Sequence, residues 1–163
     1  MLQKILKWLG IFLGSVAVLL TIFYAVVYFQ TESRINKVYD VSLQTLTIPD
    51  DPTSYILGKH IADIRGCHGC HGANLAKGEV FFDKKTPTGV LAASNITSGK
   101  GGISYTDQDW IRALRHGLGK DNKPLWFMPS HEIYHISNQE MGALIGYLKK
   151  QPSVDHTAPA KSL

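Results

Sequence analysis

Residues 67–71 read Cys67-His68-Gly69-Cys70-His71. Two thiols three positions apart on a helical turn can each form a thioether with a porphyrin vinyl group. The imidazole that follows is then carried under the ring, where its nitrogen can bind iron. This C-x-x-C-H run points to one covalently attached haem c, with Cys67 and Cys70 as attachment points and His71 as an axial ligand. Two other chemistries use similar residues. A thioredoxin-like dithiol wants a preceding βαβ pattern, which the sequence lacks. A Cys2His2 zinc site would have to recruit His131 and His135, and their roughly 60-residue separation exceeds the usual range.

Iron in electron-transfer cytochromes is commonly held by His on one face and Met on the other, the thioether raising the potential. The chain has three methionines. Met1 lies beyond a long apolar segment, and Met141 falls on the apolar face of a helical pattern, where it reads as core. Met128 sits in Trp126-Phe127-Met128-Pro129, a stretch between two helical patterns. Pro129 stiffens the chain after it, and Trp126 and Phe127 can cover a haem edge, so Met128 is the expected sixth ligand. His131 and His135 offer a bis-His alternative that would lower the potential. His60, His116 and His156 read as surface or packing residues. Tyr105, Trp110 and Tyr134 suit either space around a porphyrin or ordinary core. Arg112 and Arg115 could meet haem propionates or simply lie on a solvated helix face.

The elements that must position these groups are legible around them. Asp51-Pro52 suits an N-cap with Pro at the first helical position, opening a helix to about Arg65. Thr106 to Asp109 and Ser137 to Glu140 read as capping boxes before two further helices. Gln151-Pro152 stops the last of these. Residues 72–104, rich in Gly, Lys, Ser and Thr, read as loop. The polar segment 153–163 has no periodicity and is expected to be mobile.

Ahead of this domain, Trp8 to Phe29 form 22 consecutive uncharged residues. As a helix they would span about 33 Å, enough for a hydrocarbon core of roughly 30 Å. Aromatic residues at both ends suit membrane interfaces. A cleavable signal peptide has a shorter apolar region and a small-x-small site, which residues 24–30 do not offer. Residues 1–29 therefore read as a retained transmembrane anchor, 30–51 as a connector whose second half can lie extended on the domain, 52–152 as the functional domain, and 153–163 as its tail. Lys4 and Lys7 at one end and Arg34 and Lys37 at the other leave orientation undecided by charge.

Composition agrees with a small domain carrying a membrane-seeking element. Of 163 residues, 44% are apolar and 18% charged, below the roughly 25% charged of soluble globular chains. The net charge is +4, and from Gln30 onward 15 basic residues stand against 13 acidic ones. No basic run or stripe marks a nucleic-acid partner. Two cysteines are too few for a disulfide scaffold.

With these residues assembled, the domain resembles a class I-type cytochrome c. It is similar to the haem domains in cytochrome c subunits of membrane-bound bacterial alcohol and gluconate dehydrogenases, and to their monohaem membrane-anchored relatives. The matching stretches are Gly58-Lys59-His60-Ile61-Ala62, Cys67 to His71, Ala93-Ser94-Asn95-Ile96-Thr97, Thr106 to Trp110 with Ala113-Leu114-Arg115, Met128-Pro129 through Tyr134 to Ser137, and Gly146-Tyr147-Leu148. They cover residues 55–150. The resemblance implies an all-α fold around one covalent haem, with His71 proximal and Met128 distal. It also implies maturation outside the bacterial cytoplasmic membrane, so that the domain faces the periplasm. One haem domain instead of three, and a leading apolar segment, point to the monohaem relatives.

Iron with both axial positions filled has no open site for substrate, so the expected function is one-electron transfer and not catalysis. The expected donor is a dehydrogenase or quinol-oxidising complex and the acceptor a terminal oxidase or reaction centre, with the chain a tethered shuttle or a fixed subunit. The alternative is a haem enzyme or a gas or peroxide sensor in which Met128 is displaceable.

Overall fold

The computed structural model describes residues 1–86 and 89–162. The chain divides into two compact units, Met1–Tyr39 and the residues from Asp40 onward.

The first unit is one helix, α1 (Leu2–Asn36), with no buried residue. Its 35 residues correspond to about 52 Å at 1.5 Å per residue. Ser15 and Thr21 donate their hydroxyls to the carbonyls of Ile11 and Ala17, both at 2.9 Å, so neither leaves a polar group unpaired along the apolar surface. The helix runs seven residues past Phe29, into the segment read as connector. Nothing between Gln30 and Asn36 breaks a helix. Asn36 Nδ2 donates to Glu32 O and Oε2 at 3.1 and 2.8 Å before Lys37 turns extended.

The second unit is mostly helical. It contains α2 (Pro52–Ile64), α3 (Cys67–His71), a small antiparallel hairpin of β1 (Val80–Phe82) and β2 (Leu91–Ala92), then α4 (Asp107–His116), α5 (Ser130–Ile133) and α6 (Asn138–Lys149). The caps follow the sequence. Asp51 accepts from Ser54 N and Oγ at 2.9 and 2.7 Å, and both Thr106–Asp109 and Ser137–Glu140 close as reciprocal capping boxes. Gly117 ends α4 at φ +66°, with Leu118 N donating back to Arg112 O, a turn that favours glycine.

The core lies where α2 and α6 cross. Gly58 makes the crossing possible, since a Cβ there would collide with the Ala143 carbonyl and Tyr147 Cβ. Around it pack Ile61, Ala62, Trp110, Ile111, Leu114, Met141, Leu144, Ile145 and Leu148, all buried. Met141 is fully enclosed, as its place on the apolar face of α6 requires. Leu43, Leu46 and Ile48 of the connector pack on this core, and the backbone at Thr47 lies too close to Gly142 for a Cβ.

Two expectations fail. Residues 72–104 are not all loop: Val80 pairs with Ala92 and Phe82 with Leu91, across an irregular register. Strands this short lie below the length at which alternation can be recognised. The segment after Pro152 is not free either. Asn95 Nδ2 donates to Val154 O and His156 O at 2.8 and 3.0 Å, Val154 N donates to Thr97 Oγ1 at 3.1 Å, and Lys100 N donates to Asp155 Oδ1 at 2.8 Å. Val90 and Ser162 exchange backbone bonds of 2.6 and 3.0 Å. A polar, aperiodic segment becomes ordered here because buried Asn95 and Thr97 need its backbone groups as partners.

Candidate haem site

Chain direction fixes the first wall of the site. After α2 ends, Gly66 adopts φ +70° and α3 starts at once, placing Cys67 and Cys70 one turn apart and His71 at the end. Gly72, at φ +80°, has no room for a Cβ against Lys77 O, so the chain leaves α3 tightly folded on itself. His68 faces away from the motif's other members and joins Tyr147 Oη at 3.1 Å, with Asp63 3.6 Å away. That contact links α3 to α6.

His71 Nδ1 donates to the Ser94 carbonyl at 2.8 Å. This fixes the neutral tautomer with its lone pair on Nε2, the form in which imidazole binds metal. Burial pushes the His71 pKa down, further favouring that form. Cys67 and Cys70 are both half-buried and are not joined in a disulfide. Burial pushes the Cys67 thiol up to about 11, so an ionised sulfur is disfavoured there. A thioether carries no charge and meets no such penalty.

The opposite wall is the segment between α4 and α5. Leu118 and Pro124 form a bridge, and Leu125 N donates to Gly117 O at 2.7 Å, anchoring its root. Met128 follows, half-buried, its carbonyl accepting from Ser130 N at 2.9 Å. Between the walls is a cleft with about 920 Å³ of space free of protein atoms, part of it open to solvent. Cys67, Cys70, His71 and Met128 all line it, among mainly apolar neighbours that include Leu91, Trp110 and Leu114. Two thiols, a neutral imidazole, a thioether and apolar walls make a donor set and an enclosure that fit a covalently held porphyrin iron.

The other candidates separate cleanly. Tyr105, Trp110, Trp126 and Phe127 line the cleft, whereas Tyr134, His131 and His135 are exposed and do not. His131 stands 4.0 Å from Glu132, and His135 lies edge-on to Tyr134. Among the described residues no group of three or more His, Cys, Asp or Glu side chains is placed to hold a metal ion. Arg115 neither faces the cleft nor lies free in solvent. Its guanidinium donates to Tyr134 O at 2.5 Å, Ile136 O at 2.7 Å and Asn138 Oδ1 at 3.0 Å, tying α4 to the turn before α6. Arg112 pairs with Asp109 at 2.5 Å, and its buried Nε has no partner among the described residues. His60 is exposed, while His116 and His156 are half-buried and lie outside the cleft.

Sequence reasoning missed Phe81, which enters the cleft wall from β1, and the role of the Ser94 carbonyl. Asn95 holds the loop beside that carbonyl, its Oδ1 accepting from Thr97 N and Oγ1 at 2.9 and 2.8 Å. An Asn two residues before a Thr carries the signal of such a side-chain turn.

No family model matches the chain. It is similar to the gluconate 2-dehydrogenase cytochrome c subunit of Pantoea cypripedii, 30% identical over 115 residues, covering 65% of this chain and 26% of that protein. The cytochrome c subunit of the alcohol dehydrogenase (quinone) of Gluconobacter oxydans is 30% identical over 96 residues, covering 55% of this chain and 20% of that one. The fructose dehydrogenase cytochrome subunit of Gluconobacter japonicus is 28% identical over 131 residues, covering 71% and 26%. The matched stretch thus spans between 20% and 26% of the length of these relatives.

Proposed function

We propose that this chain, which resembles the cytochrome c subunits of bacterial dehydrogenases, is a membrane-tethered carrier of single electrons built on one covalent haem c. Cys67 and Cys70 would hold the group through thioethers, and His71 and Met128 would close its two axial positions. When bound, the haem supplies a reversible one-electron couple. The observation that carries the reading is that these four side chains line one apolar cleft, with His71 already fixed in its ligating tautomer by Ser94.

The protein's part is to keep the site closed and unchanged between oxidation states. Ser94 holds the imidazole on one side, and the anchored root of the Met128 segment holds the thioether on the other. The mainly apolar side chains around them lower the polarity about the group, which favours a higher potential. With His131 and His135 outside the cleft, no acid–base pair among the described residues is at hand for peroxide or gas chemistry, which favours a carrier over an enzyme or sensor.

The helix α1 is long and apolar enough to cross a membrane, and in this reading it anchors the chain in the bacterial inner membrane with the second unit on the periplasmic side. The donor is a dehydrogenase or quinol-oxidising complex and the acceptor a terminal oxidase or reaction centre, met as a tethered shuttle or as a fixed subunit. Tethering raises the effective concentration near such partners.

Optical spectra of the ferric and ferrous protein test the reading. The expected result is a chromophore that stays with the polypeptide in acid and a ferric Met-ligation band that Met128→Ala abolishes. A chromophore that separates from the chain, or a band that survives the substitution, overturns it.

A further inference from the structure

The residue before the proposed ligand has an unusual backbone. Phe127 lies at φ +67°, in the left-handed region that suits Gly or Asn and disfavours a bulky side chain. The residue stands in the wall of the cleft. The segment is fixed on both sides of it. Leu125 N is bonded to Gly117 O, and Met128 is followed by Pro129 and the start of α5. Phe127 is where the chain must turn for Met128 to reach the cleft.

The ring packs on an aromatic partner. Its centroid lies 4.5 Å from that of Phe81, with the planes inclined at 49°. Phe81 belongs to β1, which pairs with β2, and both rings line the cleft. Asn or Gly at position 127 would relieve the backbone but could not make this contact. A less strained residue would forfeit this contact as well as the ring's place in the cleft wall.

We propose that Phe127, braced by Phe81, is a positioning residue for Met128. The ring pair ties the methionine segment to the hairpin and holds the strained turn that aims the thioether into the cleft. The inference rests on Met128 being the iron ligand. It predicts that loosening the ring pair lets the thioether leave more often, without altering the ligand set.

The test uses the full-length ferric holoprotein and imidazole as the incoming ligand, with the rate of Met128 replacement as the readout. Phe81→Ala and Phe127→Ala should each speed replacement several-fold, up to about tenfold, the range that an aromatic pair supports. The double variant should exceed neither single variant by much, because both remove the same contact. Phe81→Tyr, which keeps the ring, should restore the parent rate. The ferric Met-ligation band should persist in all four, with urea midpoints showing that the fold is retained. Should either alanine variant destabilise the domain, Phe81→Leu provides a milder loss of the ring. Parent-like rates in the alanine variants, or independent additive effects, overturn this inference while leaving Met128 as ligand. Absence of the Met-ligation band from the parent protein overturns both.

Discussion

The imidazole of His71 donates through Nδ1 to the carbonyl of Ser94 at 2.8 Å, across 23 residues of sequence. The orientation of the imidazole is therefore set by a loop, and that loop is set in turn by Asn95. The Asn95 side chain is fully buried and bonds Thr97, Val154 and His156. A backbone carbonyl cannot be substituted, but the residue that orients it can.

Asn95→Ala removes a buried amide, leaves the His156 carbonyl without its side-chain donor and leaves Val154 O with only the Thr97 hydroxyl at 3.3 Å. We expect a loss of about 2–3 kcal/mol in urea unfolding, from the cost of stranding buried polar groups. Truncation after Pro152 removes the same partners from the other side. Its effect and that of Asn95→Ala should be strongly non-additive. Additive losses would mean that the terminal segment and Asn95 stabilise the domain independently.

Asp109 gives a pH dependence with a defined sign. Burial raises its pKa, but hydrogen bonds from Thr106 N and Oγ1 and the pair with Arg112 outweigh that, so the net displacement is downward. A carboxylate depressed in the folded state contributes stability above its unfolded value, near pH 4, and loses it as the pH falls through the folded value. Asp109→Asn should therefore cost about 1–3 kcal/mol at pH 7, and the gap to the parent should close below about pH 4. A gap that stays constant from pH 7 to pH 3 would rule out the ionised carboxylate as its source.

Fractionation tests the tether. The full-length chain should resist extraction by alkaline carbonate, and its mature mass should retain residues 1–29. A chain beginning at Asp40 should partition with the aqueous fraction and keep the same ferric spectrum, because α1 contributes no buried residue. A mature protein that begins beyond Phe29 would make the apolar segment a removed leader.

Local sequence carries much of this molecule because the relevant physics is local. A capping box needs only four consecutive residues, so Thr106–Asp109 and Ser137–Glu140 are readable before any packing is known. The C-x-x-C-H spacing is likewise complete within a single turn. An uncharged run of 22 residues is readable from length alone as a helix that could cross a membrane. Met128 stands out in the sequence because Met141 lies on a helical stripe and Met1 beyond the apolar run.

Tertiary structure decided what depends on partners far along the chain. The Ser94 carbonyl is indistinguishable in sequence from any other backbone oxygen, and only the fold brings it to His71. Arg115 reads in sequence as a solvent or propionate-binding arginine, but the turn before α6 supplies two acceptors for its guanidinium and Asn138 at the start of α6 a third. The segment after Pro152 has the composition of a free end, yet it is held because buried Asn95 and Thr97 take their partners from it. Phe81 sits in a strand of three residues, too short for periodicity to register, and meets Phe127 only because the hairpin closes. Sequence specifies groups and short-range geometry, whereas the pairing of remote polar atoms and rings emerges only when the α2–α6 core brings them together.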